Sequence, residues 1–398
     1  MKKLIALCLV LVLCFAGMTI AAAEEDFMMG LICLHDEDST YDLNFINGAK
    51  EAAAKLGLDD DQLIIKRNVG ESNDCYEAAC ELADEGCTFI FADSFGHETY
   101  LMEAAKEYPE VQFGHATGTM AHTSGLANFQ NAFAAIYEGR YLAGVAAGLK
   151  LEELRANGKL KGEVPMMGYI GAFTYAEVIS GYSSFYLGAK SICPDVIMKV
   201  QFTGSWYDEK EEKAAAEALI AMGCDLISQH ADSMGAPTAC EDAGIPNISY
   251  NGATVEACPN TFIVSSRINW AVYFEYVYNA LMNGETLPAD FTGTIADGSV
   301  VLTDVNEQAA AAGTAEKIAE VKAALASGEL KVFDTATEGF ITVGGAALTE
   351  YMADVDSDAN YEKDTQVVSD GYFHESEFRS APYFDVELDG IEKLNAMY

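Results

Sequence analysis

The stretch from Met166 to Phe202 reads MMGYIGAFTYAEVISGYSSFYLGAKSICPDVIMKVQF, and its alternation decides the fold class. Met166 to Gly171 is a short apolar run suited to a buried strand. Ala176 to Ser191 carries apolar residues at helical spacing, and Val196 to Phe202 is a strand again. Two strands joined by a helix and short turns make a parallel pair, because the helix carries the chain back over the sheet and covers one face. The pattern runs on downstream. Glu209 to Met222 is a helix stopped by Gly223, Asp225 to Ser228 a strand, Met234 to Ala243 a helix and Ile248 to Tyr250 a strand.

The same alternation stands upstream. Met28 to Leu34, Leu63 to Arg67, Thr88 to Ala92 and Val111 to His115 read as strands. The helices between them are Asn44 to Leu56, a stretch capped by Ser72 and ended by Gly86, and Glu98 to Glu107. A long helical stretch, Phe133 to Ala156, separates the halves. Thr261 to Ser265 is a further strand, and Asn269 to Met282 and Ala315 to Ala326 are further helices. Residues 351–370, rich in Asp, Asn and Ser, read as a solvated connector, and Tyr372 to Tyr398 regains the aromatic residues that let a tail pack back on the body. Two similar α/β lobes with elements left over after the second predict a chain that crosses between lobes more than once.

Lys2 and Lys3, the apolar run Leu4 to Met18 and the small residues Ala21 to Ala23 have the order of a secretory leader, 1–23. The run is shorter than the ~20 residues that span a bilayer. Cleavage near Ala23 is expected over lipid attachment at Cys14, because Leu13 is not the small residue that such attachment wants before its cysteine. The remainder, about 375 residues, is more than one typical core. Losing two lysines with the leader takes the net charge from −39 to −41, which repels nucleic acid and anionic lipid and excludes both as partners. The cysteines past the leader form no CxxC and no zinc spacing with histidine; their apolar contexts predict buried free thiols.

In an open parallel sheet, ligands bind beyond the carboxyl ends of the strands. The turns there carry Tyr41 and Asp42, then Asp93, Ser94 and Phe95, then Phe173 and Glu177, Trp206, His230 and Asp232, Asn251, and Arg267. Aromatic faces beside carboxylates, amides and hydroxyls suit a small, flat, polar molecule. Arg267, in a chain short of cations, is expected to pair with Asp42 or Asp93. His97 and His115 are expected to be structural and Trp270 a core anchor. Gly204-Ser205-Trp206 is not a GxSxG elbow, and no phosphate loop or dinucleotide fingerprint follows a strand, so neither catalysis nor a cofactor is expected. Glu177 and Asp232 as a glycosidase-like acid/base pair is the enzymatic alternative.

Taken together, Tyr137-Glu138-Gly139-Arg140-Tyr141-Leu142-Ala143-Gly144-Val145-Ala146-Ala147-Gly148, Gly168 to Phe173, Gly188-Ala189-Lys190, Gly204 to Asp208 and Gly223-Cys224-Asp225 resemble the basic-membrane-protein family of ABC-transporter solute-binding lipoproteins, the purine-nucleoside-receptor group. The resemblance covers roughly residues 26–333. It implies a type I periplasmic-binding fold: two Rossmann-like lobes joined by three hinge crossovers, with the ligand in the cleft between them. It further implies a monomer that binds a purine nucleoside or nucleobase and docks on a membrane permease, with a sugar or flavin as alternative ligand. Tyr41 stands where the family has a stacking aromatic, and Asp42 where it has an amide. Asn251 replaces an aspartate, and Arg267 matches a basic residue. On this pattern the first lobe takes 24–131 and 259–284, the second 132–258 and 285–334, and residues 335–398 form an extension covering a lobe.

Overall fold

The computed structural model describes residues 27–355 and 362–398; the leader and Cys14 lie outside them. Its first sheet is wholly parallel. It orders β2 (Leu63–Lys66), β1 (Met29–Ile32), β3 (Phe89–Ala92), β4 (Gln112–Ala116), β5 (Phe129–Ala134) and β11 (Asp290–Gly293). Helices α1 (Thr40–Leu56), α2 (Asn73–Asp84), α3 (Glu98–Glu107) and the turn-long α4 (Ala121–Ser124) connect it. The second sheet orders β7 (Ile197–Phe202), β6 (Met166–Gly171), β8 (Leu226–His230), β9 (Asn247–Tyr250), β10 (Phe262–Ile268) and β12 (Val300–Leu302). Only β12 is antiparallel to its neighbour, and a late strand, Ile391–Lys393, joins β7 in parallel. Helices α5 (Ile136–Ala156), α6 (Ala176–Ile192), α7 (Glu209–Ala221) and α8 (Gly235–Ala243) serve this sheet. Of the last two, α9 (Trp270–Met282) packs on α1, and α10 (Thr314–Ala326) on α5.

The chain passes between the sheets three times: from β5 through α5 to β6, from β10 through α9 to β11, and from β11 to β12. These are the three expected crossovers of a two-lobed α/β protein. The segment limits fall differently from the expected ones. β10 is bonded within the second sheet, although 259–284 was assigned to the first lobe, and β11 within the first, although 285–334 was assigned to the second. Each crossing begins at the strand's carboxyl end, not before the strand.

The Phe133 to Ala156 helix is corrected as well. Phe129–Ala134 is a buried strand, and α5 begins at Ile136. The polar middle of β5 is matched inside the protein: Gln130 donates to the Pro288 carbonyl and accepts from Tyr273, and Asn131 accepts from the Ala121 N–H and donates to Glu98. Helix α1 starts at Thr40, four residues earlier than its apolar spacing suggests, behind the cap Ser39, whose hydroxyl accepts from the Asp42 N–H. Part of the expected connector is paired, with Met352–Ala353 antiparallel to Thr365–Gln366. The tail packs back as expected, burying Phe373, Tyr383 and Phe384.

Two features of the second lobe explain the glycine-rich motif. Helices α5 and α6 cross at Gly144 and Gly188, so closely that a methyl on either would stand 2.0 Å from a carbonyl oxygen of the other helix. Beside that crossing Arg140 is fully buried. It donates to Tyr169, Ser228 and the Gln229 carbonyl at 2.8–3.2 Å and lies against the rings of Tyr169, Phe185 and Tyr250. All eight thiols among the described residues are unpaired, and seven of them are buried. No helix there is long and apolar enough to cross a membrane.

Candidate functional site

The strand ends of the two sheets face each other across a hollow of about 400 Å³. From the first lobe come Leu34 and His35 after β1, Tyr41 and Asp42 at the start of α1, Ser94 and Phe95 after β3, and Thr117 after β4. From the second come Glu177 at the start of α6, Trp206 after β7, His230 at the end of β8 with Asp232 just beyond it, and Tyr250 at the end of β9. The lobes touch beside the hollow, where the Thr40 N–H and hydroxyl both donate to the Asp232 carbonyl at 3.0 and 3.2 Å.

The polar groups are held before any ligand arrives. Burial alone would push the Asp42 carboxyl up, but the His35 ring, the Ser39 hydroxyl at 2.6 Å and the His35 N–H at 2.8 Å bring it below its ordinary value. It is therefore a fixed anionic acceptor. Asp232 moves the other way: it is fully enclosed and surrounded by Glu212, Asp42 and Glu177, so its carboxyl titrates well above the usual range despite a contact from Asn251. Burial also lowers His230, leaving a neutral ring between Glu177 and Tyr169, each at 3.4 Å. The Tyr250 hydroxyl is buried with no hydrogen-bond partner among the described residues. A buried hydroxyl left unmatched is costly, and Tyr250 is one of the residues that line the hollow.

Apolar faces alternate with these groups. Trp206 stands at the wall with the ring of Phe173 edge-on behind it at 5.3 Å, and Phe173 in turn stacks on Tyr175 at 5.2 Å. Phe95, from the other lobe, approaches Tyr175 to 5.8 Å. Tyr41 is fixed by donating to the Asp93 carbonyl at 2.8 Å.

Four expected site residues do not line the hollow. Asp93 is fully buried behind Tyr41, where one carboxyl oxygen accepts from the Leu34 N–H. Phe173 supports Trp206 from outside. Asn251 lies behind Asp232, 3.5 Å from its carboxyl. Arg267 is turned into a separate hollow with Asn44, Glu51 and Asn251; it pairs with neither Asp42 nor Asp93, and burial lowers its pKa against the pull of Glu51. The lobe crossing explains this: β10 sits in the second sheet, one strand beyond β9, so its end opens on the hinge side. Leu34, His35, Thr117 and Tyr250 line the hollow without having been expected there. Trp270 is a core residue stacked on Phe45 at 4.2 Å, and His97 and His115 bond backbone carbonyls, as expected. Cys33, Asp42 and Asp93 bring possible metal-ligand atoms within 4.8 Å of one another, but Asp42 is already saturated, and burial next to its charge drives Asp93 toward the protonated form.

A pair of α/β lobes crossed three times by the chain, closing on one aromatic and acidic hollow, is the architecture of a solute-binding protein. The chain belongs to the PnrA-like family of ABC transporter substrate-binding proteins, whose family model matches residues 30–334. It is 32% identical over 316 residues to a purine-binding protein of Brucella abortus (strain 2308), an alignment covering 79% of this chain and 85% of that one. It is 31% identical over 215 residues to a putative ABC transporter glucose-binding protein of Haloferax volcanii, covering 54% of this chain and 51% of the other. Among solved structures, it is similar to an ABC-transporter solute-binding protein from Conexibacter woesei. The TM-score is 0.63 at 17% identity, with 77% of this chain and 98% of that one covered. A second, from Aeropyrum pernix, gives 0.62 at 16% identity over 79% and 94%. At that identity the likeness is one of fold. Substrate-binding proteins of this family serve their transporters outside the cytoplasm.

Proposed function

We propose that the protein captures a purine nucleoside or free purine base in the interlobe hollow and delivers it, chemically unchanged, to an ABC permease. The observation that carries this reading is the hollow's wall: Trp206, Phe95 and Tyr41 offer flat faces, while Asp42, Asp232, Glu177 and the unmatched Tyr250 hydroxyl offer edge contacts. A planar base stacks on such faces, and its ring nitrogens and amino group, or a ribose, hydrogen-bond to such edges. The likeness to the Brucella abortus purine-binding protein supports the same ligand class.

The moving bodies in this reading are the sheets with their helices: β1–β5, α9 and β11 against α5–β10 and β12, with the tail bonded to both. Ligand contacts from both sides favour the closed state that the Thr40–Asp232 contact marks, and closure presents the docking surface. The protein acts as an exported monomer, with a free or surface-held state after the leader is removed, and it carries out no turnover. The likeness to a glucose-binding protein makes sugars the second reading.

Calorimetry on the mature chain with adenosine, guanosine, inosine, their free bases, glucose and ribose tests both. Saturable binding of one purine per chain, with the ligand recovered intact by chromatography, is expected. Binding of sugars alone refutes the purine reading, and recovery of free base from a nucleoside refutes the absence of catalysis.

A further inference from the structure

The family match ends at residue 334, yet the residues beyond it bond to the loops beside the ligand hollow. Strand Ile391–Lys393 extends the second sheet along β7. Asn395 exchanges two 2.8 Å hydrogen bonds with the backbone of Phe202, and Met397 pairs twice with Thr174. These bonds tie the tail to the loops after β6 and β7, the first leading into Glu177 on α6 and the second carrying Trp206. Further back, Ser380 donates its N–H to Asp290 on β11 of the opposite sheet. The tail therefore spans the cleft mouth from one lobe to the other.

Under this span lies a second hollow of about 1070 Å³. Phe95, Thr117, Glu177 and Trp206 line both hollows, so the two meet across those four side chains. The far wall belongs to the tail, including Asp385, Glu387, Lys393 and Tyr398.

We infer that the second hollow is a compartment of the ligand site, and that the ligand is longer than a nucleoside: a purine nucleoside carrying an uncharged, hydroxyl-rich substituent such as a second sugar. The inference rests on the purine reading and specifies it. Three observations carry it. The second hollow, open to solvent on one side, continues the inner one past the four shared side chains, so a ligand seated in the first has room to extend into it. The cations at the wall are engaged: Lys393 by Glu387, and Arg379 by the Ala381 and Pro382 carbonyls and the Tyr383 ring. A phosphate would thus meet Glu177 and an Asp385 already paired with Lys363, without a new counter-ion, and an anion so placed is disfavoured. Finally, Phe95 is 45% exposed on the shared wall, an apolar face for the C–H side of a sugar ring, flanked by the acceptors Glu177, Thr117 and Thr119.

The test is calorimetry on the full mature chain with adenosine, adenosine 5′-monophosphate and the three adenosines monoglucosylated at a ribose hydroxyl. At least one glucosyl isomer is expected to bind tenfold or more tighter than adenosine, and the monophosphate more weakly than adenosine. Tyr398→Ala and Asp385→Asn, each checked for an unchanged melting profile, are expected to cut the glucosyl advantage below threefold and leave adenosine affinity as it was. If adenosine binds but no glucosyl isomer exceeds it, or if the advantage survives both substitutions, the second compartment is refuted and the purine reading stands. If no purine compound binds at all, both fall.

Discussion

A methyl group at Gly188 would stand 2.0 Å from the Tyr141 carbonyl oxygen, and one at Gly144 the same distance from that of Phe185. Carbon and oxygen do not approach closer than 3.0 Å, so Gly188→Ala forces α5 and α6 apart by at least about 1 Å. The obstacle is backbone on a helix, which cannot rotate away as a side-chain tip does. Overpacking a core costs about 1–3 kcal/mol, and more where nothing yields. The helix preference of alanine over glycine returns about 1 kcal/mol. The upper end of the range applies here, so each single substitution is expected to lose about 2 kcal/mol net. One separation relieves both clashes, so the double Gly144→Ala/Gly188→Ala variant should lose little more than either single, a coupling of about 2 kcal/mol. Purine affinity should fall as well, because α6 carries Glu177 at its first turn and passes His230 at Gly181. Urea unfolding followed by circular dichroism measures all three variants. Losses below about 0.5 kcal/mol, or singles that simply add in the double, would show that the crossing does not hold the lobe as described.

Other substitutions probe the hollow directly. Trp206→Ala is expected to weaken purine binding about 5- to 150-fold, since stacking on an aromatic contributes about 1–3 kcal/mol per base; calorimetry that finds unaltered affinity in a folded variant removes Trp206 from the site. A methyl at Gly181 would stand 2.6 Å from the His230 ring, so Gly181→Ala should push that ring into the hollow and cost tenfold or more in affinity with little loss of melting temperature. Glu212 is buried, and burial raises its carboxyl to about 7 from 4.5. The folded chain thus holds a proton that the unfolded chain releases, and this contribution to stability is full below about 4.5 and is lost as pH rises through about 7. Glu212→Gln should flatten the fall in urea midpoint between pH 5 and pH 8 and gain up to about 3 kcal/mol at the upper end; an unchanged slope would contradict the assignment.

What the sequence makes legible is where local pattern and tertiary outcome agree. Met166 to Gly171 and Glu98 to Glu107 occur with the expected limits, and Trp206, His230 and Asp232 sit at or just beyond the carboxyl ends of strands as the rule for open sheets predicts. β5 escapes because Gln130 and Asn131 interrupt its apolar pattern, and the partners that satisfy them, Pro288, Tyr273 and Glu98, come from distant parts of the chain. Thr117 owes its place to a backbone φ of 60°, a conformation rare for a residue other than glycine and not encoded in any visible pattern. Tyr250 counted as the last residue of a strand, and only the sheet's end-on view shows that its ring turns to the hollow. The glycines of the Tyr137 to Gly148 motif and the helix Ala176 to Ser191 are both legible, but not that the two cross at Gly144 and Gly188.

The short strand at Ile391–Lys393 has a further effect, on the protein's life outside the cytoplasm. β7 runs for six residues with alternate positions buried, and without a neighbour it would present a row of open amides and carbonyls ready to recruit another chain. The chain's own last residues occupy that row. Proteolytic loss of the final ten residues would leave a sticky border as well as a shorter protein, and such clipped molecules would self-associate.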